Sequence, residues 1–153
     1  MSSILKVRNL SVDFPIFGGV FQRSIGAVNA VKDVSFDLNQ GETLGIVGES
    51  GSGKSTLGKA ILNVLRLTAP DVKINGDIYL EASNHDVNIL KLTRKEMRPY
   101  RTDIQMIFQD PYSSLNPRMI VRDIIQEPLD INTTLNTKEK KDKVNWLLNK
   151  VGL

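Results

Sequence analysis

The chain has 153 residues, of which 41% are hydrophobic and 24% are charged, and this composition suits one globular domain with a core. No apolar stretch reaches the roughly 18 residues that span a bilayer, and the lack of cysteine excludes disulfides and thiolate metal sites. A net charge of +3 permits contact with nucleic acid or a membrane surface, but the basic residues are scattered, which favours a solvated surface. The first residues, MSSILKVRNL, lack the apolar core of a secretory signal, and the absence of cysteine fits the expectation of a cytoplasmic setting.

The first forty residues show the alternation of β-strands. Apolar and polar residues alternate over 5–8 and again over 34–38. Residues 14–26 between them are rich in turn formers and are predicted to be a long hairpin connection.

The segment Gly48–Ser55, GESGSGKS, fits the phosphate-binding pattern G-x-x-x-x-G-K-[ST] at every defined position. The apolar residues of 44–47 before it predict a buried strand. Apolar residues recur at helical spacing after it: Leu57, Ala60, Ile61 and Val64. A glycine-rich loop between strand and helix directs backbone N–H groups at one point, so it is predicted to bind the phosphates of a nucleoside triphosphate.

Each residue of this loop has an expected role. Lys54 would reach the β- and γ-phosphates, and Ser55 would give its hydroxyl oxygen to Mg²⁺. Thr56 opens the helix and could add a hydroxyl contact. The predicted nucleotide-binding residues are Gly48, Glu49, Ser50, Gly51, Ser52, Gly53, Lys54, Ser55 and Thr56.

Further along, the turn dipeptide Asn75-Gly76 is predicted to introduce a strand over Asp77–Leu80. Thr93 and Glu96 form a capping-box pattern that predicts a short helix from Arg94, limited by Pro99. The short apolar run Ile104–Phe108 favours a buried strand that ends in a turn.

Two helices are predicted near the end of the chain. The first covers Val121–Gln126, and Pro128 would stop or kink it. Thr137 could cap the second, and Gly152 would follow its last residue. Its expected apolar face consists of Val144, Leu147, Leu148 and Val151.

Three stretches together resemble the nucleotide-binding subunit of ABC transporters, with the best match in the oligopeptide/dipeptide importer branch. They are Ala30–Leu62, Ile104–Met119 with its run FQDPYSSLNPRM, and Ile124–Leu129. The resemblance implies an α/β P-loop NTPase (ABC ATPase) core with an N-terminal antiparallel β region and the start of a helical subdomain. Residues of about 1–110 would form the β region and core, and about 111–153 the helical subdomain, truncated before the signature motif.

The resemblance also assigns further roles. Gln109 would be the glutamine that coordinates Mg²⁺ and orients the attacking water, so Gln109 and Lys54 are the expected catalytic residues, and Ser55 and Gln109 the expected metal ligands. The cofactors would be ATP and Mg²⁺. The family position for adenine stacking falls near Ile25, which has no ring, and Phe21 is the nearest aromatic residue.

The implied function is to couple ATP binding and hydrolysis to uptake of oligopeptides or dipeptides at the cytoplasmic face of the cell membrane. Its partners would be a second, homologous ATPase subunit, transmembrane permease subunits and, indirectly, an extracytoplasmic peptide-binding protein, with no nucleic acid.

Three family motifs do not occur in these 153 residues: the LSGGQ-type signature, the strand ending in Asp-Glu and the switch histidine. The only histidine, His85, lies in a variable stretch and is expected on the surface. The alternative is therefore a truncated nucleotide-binding fragment without hydrolytic activity of its own. Other P-loop classes are disfavoured because the GTPase motif N-K-x-D is missing, and a nucleic-acid-directed ABC protein is disfavoured by the run FQDPYSSLNPRM.

Overall fold

Antiparallel strands form the first part of the chain. The structure is a computed structural model that describes residues 3–19, 23–82, 85–110 and 115–153. By contact it divides into two units, Met1–Met106 and Ile107–Leu153, which are described separately below.

A long hairpin opens the first unit. Strand β1 spans Ser3–Gly18 and strand β2 spans Arg23–Asn39, and they pair antiparallel from Ser3 opposite Asn39 to Gly18 opposite Arg23. The alternation seen in the sequence is therefore confirmed as two strands. The prediction of a long connection over 14–26 was wrong, because both strands continue into that stretch and pair there.

Strands β3, Lys73–Ala82, and β4, His85–Asn88, complete a sheet of order β2-β1-β3-β4. Every pairing is antiparallel. The central strand β1 places Val7 opposite Phe36 on one side and Ile78 on the other. The core lies on this face of the sheet, where Val7 and Ile78 have no exposed area.

Gly76 lies inside β3 and does not begin a turn, so the predicted turn at Asn75-Gly76 was wrong. The register between β1 and β3 shifts between Arg8 and Ser11, and Gly76 takes a φ of +99° opposite this irregularity. A Cβ atom on Gly76 would lie 2.5 Å from the carbonyl oxygen of Arg8. The glycine is needed because the two backbones approach closely at a bulge. The predicted strand Asp77–Leu80 is confirmed as part of β3.

Helix α1, Lys54–Ile61, and helix α2, Leu65–Thr68, pack against the sheet. Leu57, Ala60 and Leu65 are buried in the same cluster as the strand residues. The helical spacing after the glycine-rich loop is thus confirmed.

A second connection follows β4 through 3₁₀ turns at Ile89–Lys91 and Pro99–Arg101. The capping box is present, since the Thr93 amide donates to Glu96 Oε2 at 2.9 Å and the Glu96 amide donates to Thr93 Oγ1 at 3.3 Å. Residues 94–98 form hydrogen-bonded turns and not the α-helix that we predicted.

Neither predicted buried strand of the P-loop core is a strand in the described residues. Residues 42–49 and 105–108 have no ladder partner. Val47 is 92% exposed and Ile107 94% exposed. A buried parallel strand needs hydrogen-bonding neighbours and cover on both faces, and the described strands supply neither to these two segments.

The described residues of the second unit include two helices, α3 at Val121–Asn132 and α4 at Thr137–Lys150. The helix predicted from Val121 is present as α3, and it continues past Pro128, so of the two predicted effects of Pro128, a stop or a kink, the stop was wrong. Lys140 and Asp130 form an ion pair at 2.8 Å between the two helices. Asn136, and not Thr137, caps α4 through a capping box with Glu139.

The predicted apolar face of α4 is confirmed for three of its four residues. Val144 has no exposed area and Leu147 and Leu148 are half-buried, but Val151 is 72% exposed. Gly152 follows the helix with a φ of +82°. The Leu153 amide donates to the Leu148 carbonyl and the Gly152 amide to the Asn149 carbonyl, which is a Schellman ending. Across the described ranges, no helix combines the length and apolarity needed to cross a membrane.

Candidate functional site

The glycine-rich loop leads directly into α1. Gly51 and Gly53 take φ values of +83° and +91°, which L side chains rarely adopt. The Ser52 amide donates to the Glu49 carbonyl at 3.2 Å, so the loop closes on itself. The alternation of left-handed glycines with other residues turns successive backbone N–H groups toward the concave side of such a loop.

Gly53 joins this loop to the sheet. A Cβ atom there would come closer than 3.0 Å to the carbonyl oxygen of Ala30 in β2, whereas a Cβ atom on Gly51 would meet nothing within 4 Å. The Gly53 position therefore fixes how closely the loop lies against β2. Sequence inspection of the motif did not reveal this second role, because it depends on which strand lies beside the loop.

The Lys54 ammonium lies over the loop. Its Nζ donates to the carbonyl oxygens of Gly48 at 2.7 Å and Glu49 at 2.6 Å, and it lies 3.3 Å from Ser52 Oγ. An ammonium has three N–H donors, so these contacts engage all of them. The lysine thus holds the loop in a closed ring, with its positive charge at the centre.

Helix α1 begins directly after this loop. Gly53 is its N-cap, no side chain caps the helix, and the Leu57 amide donates to the Gly53 carbonyl at 2.8 Å. The first amides of a helix have no partner within the helix and carry a partial positive charge. Ser55 is exposed and Thr56 half-buried in this first turn.

An open cavity of about 580 Å³ lies beside the loop. One wall is the loop with α1, and the other comes from residues 29–36 of β2 and 44–47. This β2 wall, including Lys32, was missed in the sequence, since nothing in the local pattern shows that an edge strand borders the loop.

The donors here suit Mg²⁺ only together with phosphate oxygens. In the described residues no group of three or more His, Cys, Asp or Glu side chains could hold a metal. Ser55 offers a single exposed hydroxyl in the first turn of α1. Mg²⁺ commonly keeps waters and takes few protein ligands beside substrate phosphates, so the donor set fits that ion in a nucleotide complex.

The predicted site residues fall into two groups. All nine residues from Gly48 to Thr56 come together in this one loop and first helical turn. Gln109 belongs to the second unit, where it is exposed and outside any strand or helix. Phe21 and residues 111–114 of the run FQDPYSSLNPRM lie outside the described residues, and Ile25 is 70% exposed on β2.

Comparison with solved structures identifies the fold. The dimeric structure of a post-hydrolysis state of the ATP-binding cassette MJ0796 bound to ADP and Pi matches with a TM-score of 0.66 at 22% identity. The match covers 97% of this chain and 57% of that one. The predicted fold class is confirmed: an α/β P-loop ABC ATPase core with an N-terminal antiparallel β region and the start of a helical subdomain.

Sequence comparison agrees. The oligopeptide transport ATP-binding protein AppF of Bacillus subtilis is 43% identical over 152 residues, which are 99% of this chain and 43% of that protein. The glutathione import ATP-binding protein GsiA of Escherichia coli O6:H1 is 45% identical over 150 residues, which are 98% of this chain and 22% of that protein. The chain thus spans less than half the length of these relatives. The profile of the ABC transporter family matches residues 31–153, and the chain belongs to that family.

Proposed function

We propose that the chain is the nucleotide-binding part of an ABC importer subunit and that residues 48–56 bind the triphosphate of ATP. The observation that carries this proposal is the ring at the start of α1, in which the Lys54 ammonium donates to the Gly48 and Glu49 carbonyls and no side chain caps the helix. Backbone amides, a helix N-terminus and one cation converge on a space bordered by glycine backbone, and this is the chemistry that holds a polyphosphate.

Nucleotide binding requires an exchange at Lys54. Its three donors are engaged with Gly48, Glu49 and Ser52, so phosphate oxygens must replace these neutral acceptors. A charge-assisted bond to phosphate is stronger than a bond to a carbonyl, which favours the exchange. The ring keeps the ammonium within the loop that we propose to bind the β- and γ-phosphates.

Ser55 would give its hydroxyl to Mg²⁺, and Gln109 would supply the amide oxygen that the family resemblance assigns to the metal and the attacking water. When bound, Mg²⁺ neutralises charge on the phosphate oxygens. Residues 1–110 would form the core and 111–153 the beginning of the helical subdomain, so Gln109 would lie next to the boundary between them in the sequence.

The proposed solutes are oligopeptides or dipeptides. Support comes from the run FQDPYSSLNPRM and from two relatives whose names specify oligopeptide transport and glutathione import. The subunit would pair with a second, homologous ATPase subunit and sit peripherally on permease subunits at the cytoplasmic face of the membrane, fed indirectly by a peptide-binding protein. A dimeric ATP-binding cassette among the similar structures supports the pairing.

Hydrolysis is a separate matter from binding. Phosphoryl transfer needs metal support and a positioned water in addition to the phosphate cradle, and these 153 residues carry only the cradle, Ser55 and Gln109 toward that assembly. We therefore expect the 153-residue chain to bind ATP with negligible turnover. Release of phosphate that depends on Mg²⁺ and falls in a Lys54→Ala variant would contradict this expectation.

Equilibrium titration with a fluorescent ATP analogue tests the binding site. Lys54→Ala should weaken binding about 10- to 100-fold, since it removes a charge-assisted bond and opens the ring. Lys59→Ala removes the same charge from the same helix and is the matched control, with an affinity close to that of the unaltered chain. Equal affinities of the two variants would refute the assignment.

A further inference from the structure

A second concave surface lies away from the nucleotide loop, between α2 and residues 94–101. This cavity has a volume of about 670 Å³, and four of its six lining residues are cations: Arg94, Lys95, Arg98 and Arg101, with Val64 and Leu67. A cavity of about 260 Å³ shares Leu67, Arg94 and Arg101 with it and adds Arg66. Among the residues that the structure describes, no acidic one lines either cavity.

The cations converge on a segment of hydrogen-bonded turns that begins at the capping box. Arg94, Arg98 and Arg101 of this segment all line the same cavity. Met97 in the same segment is only 1% exposed and belongs to the core cluster, so it fastens the turns to the core. The cluster is therefore held by packing, and not by flexible surface loops alone.

Arg101 is also fixed directly. Its guanidinium donates to the carbonyl oxygens of Leu62 and Asn63, which follow the last residue of α1. A guanidinium has five N–H donors, so donors remain beyond these two contacts. The cation is thus held beside the cavity with capacity for a further acceptor.

Several cations at these two cavities take part in no recorded ion pair. Of the ion pairs recorded in the described part of the chain, none involves Arg66, Arg94, Lys95 or Arg101. The nearest acidic residue in sequence, Glu96, is engaged with Thr93. A concave surface lined by one sign of charge concentrates ions of the opposite sign.

We infer that this cavity binds a phosphate-bearing ligand, separate from the triphosphate site and independent of the proposed nucleotide function. The planar guanidinium fork matches phosphate oxygens. Val64 and the 58% exposed Leu67 form an apolar wall that suits the carbon skeleton of an organic phosphate. A free phosphate ester and the headgroup of a phospholipid share this chemistry.

The test uses the ¹⁵N-labelled 153-residue chain at low salt, with glycerol 1-phosphate as the soluble probe and phosphatidylglycerol vesicles in a parallel co-sedimentation arm. The double variant R94Q/K95Q removes two cations of the cavity. The matched control K138Q/K141Q removes two exposed lysines of α4. Circular dichroism melts establish that each variant is folded as the unaltered chain is.

We expect saturable amide shifts over residues 93–101, and binding about tenfold weaker or more in the cavity variant but nearly unchanged in the control. Loss confined to the soluble probe identifies a free phosphate ester as the source, and loss confined to vesicles identifies a lipid headgroup. Absence of saturable binding in both arms, or equal weakening in both variants, would overturn the inference. Because the amide shifts are read residue by residue, failure here is distinguishable from failure at residues 48–56.

Discussion

Replacing Gly53 with alanine tests how the phosphate loop packs against β2. The added methyl group would come closer than 3.0 Å to the carbonyl oxygen of Ala30, and the residue would keep a φ of +91°. Gly51→Ala is a matched control in the same loop, because its φ is +83° but a Cβ atom there meets nothing within 4 Å. Comparing the two variants separates the cost of the left-handed backbone conformation from the cost of the steric clash.

The two variants should differ by a measurable amount. A left-handed alanine costs about 1–2 kcal/mol, and this applies to both positions. Forcing a methyl group against backbone costs about 1–3 kcal/mol more, and this applies to Gly53 alone. We therefore expect Gly53→Ala to lower the free energy of unfolding by about 2–5 kcal/mol and Gly51→Ala by about 1–2 kcal/mol.

Urea unfolding followed by circular dichroism measures both free energies. The dependence of each free energy on urea concentration should be the same, which verifies that the unfolded states are alike. If the methyl group rearranges the loop without lowering the free energy of unfolding, nucleotide binding should be weaker in Gly53→Ala than in Gly51→Ala. If the two variants match in stability and in nucleotide affinity, the close approach of Gly53 to Ala30 does not position the loop and the reasoning fails.

Three further predictions concern stability. Val144→Ala should cost about 2 kcal/mol in urea unfolding, because the side chain is fully buried; an unchanged midpoint would show that α4 is not packed as described. Asn136→Ala should cost about 1 kcal/mol by removing the cap of α4, and Asn136→Asp, which keeps an acceptor, should restore most of it; equal losses would argue against the cap. Hydrogen bonds from Lys91 and Asn88 lower the pKa of Asp77 below its ordinary 3.8, so its contribution is present above that pH and is lost as pH falls through the lower folded value. Asp77→Asn should therefore flatten the decline of the urea midpoint below about pH 4, and an identical acid profile would contradict the pairing.

The parts of the fold that could be predicted from the sequence are those held by local hydrogen bonds. The box of Thr93 with Glu96 and the ending at Gly152 involve bonds between residues a few positions apart, and both are present. The loop at 48–55 is of the same kind, because Lys54 bonds to carbonyls only five and six residues away. A pattern whose hydrogen-bond partners lie within a few residues can therefore be predicted from the sequence.

Elements whose partners lie far along the chain were not accessible in this way. The apolar residues of 44–47 and 104–108 indicate a preference for burial, but burial as a strand also requires neighbours to accept the backbone hydrogen bonds. Asn75-Gly76 shows the same limit, since the dipeptide serves a bulge opposite β1 and not a turn. The β2 wall of the nucleotide cavity depends on strand order, which the local sequence does not contain.

Titration of the ¹⁵N-labelled chain with ATP and Mg²⁺ tests the central claim most directly, because each backbone amide reports its own surroundings. We predict that the largest saturable shifts fall on residues 51–56 and that inorganic tripolyphosphate reproduces them. Saturable shifts that spare these amides, or a complete lack of shifts at millimolar nucleotide, would contradict the account.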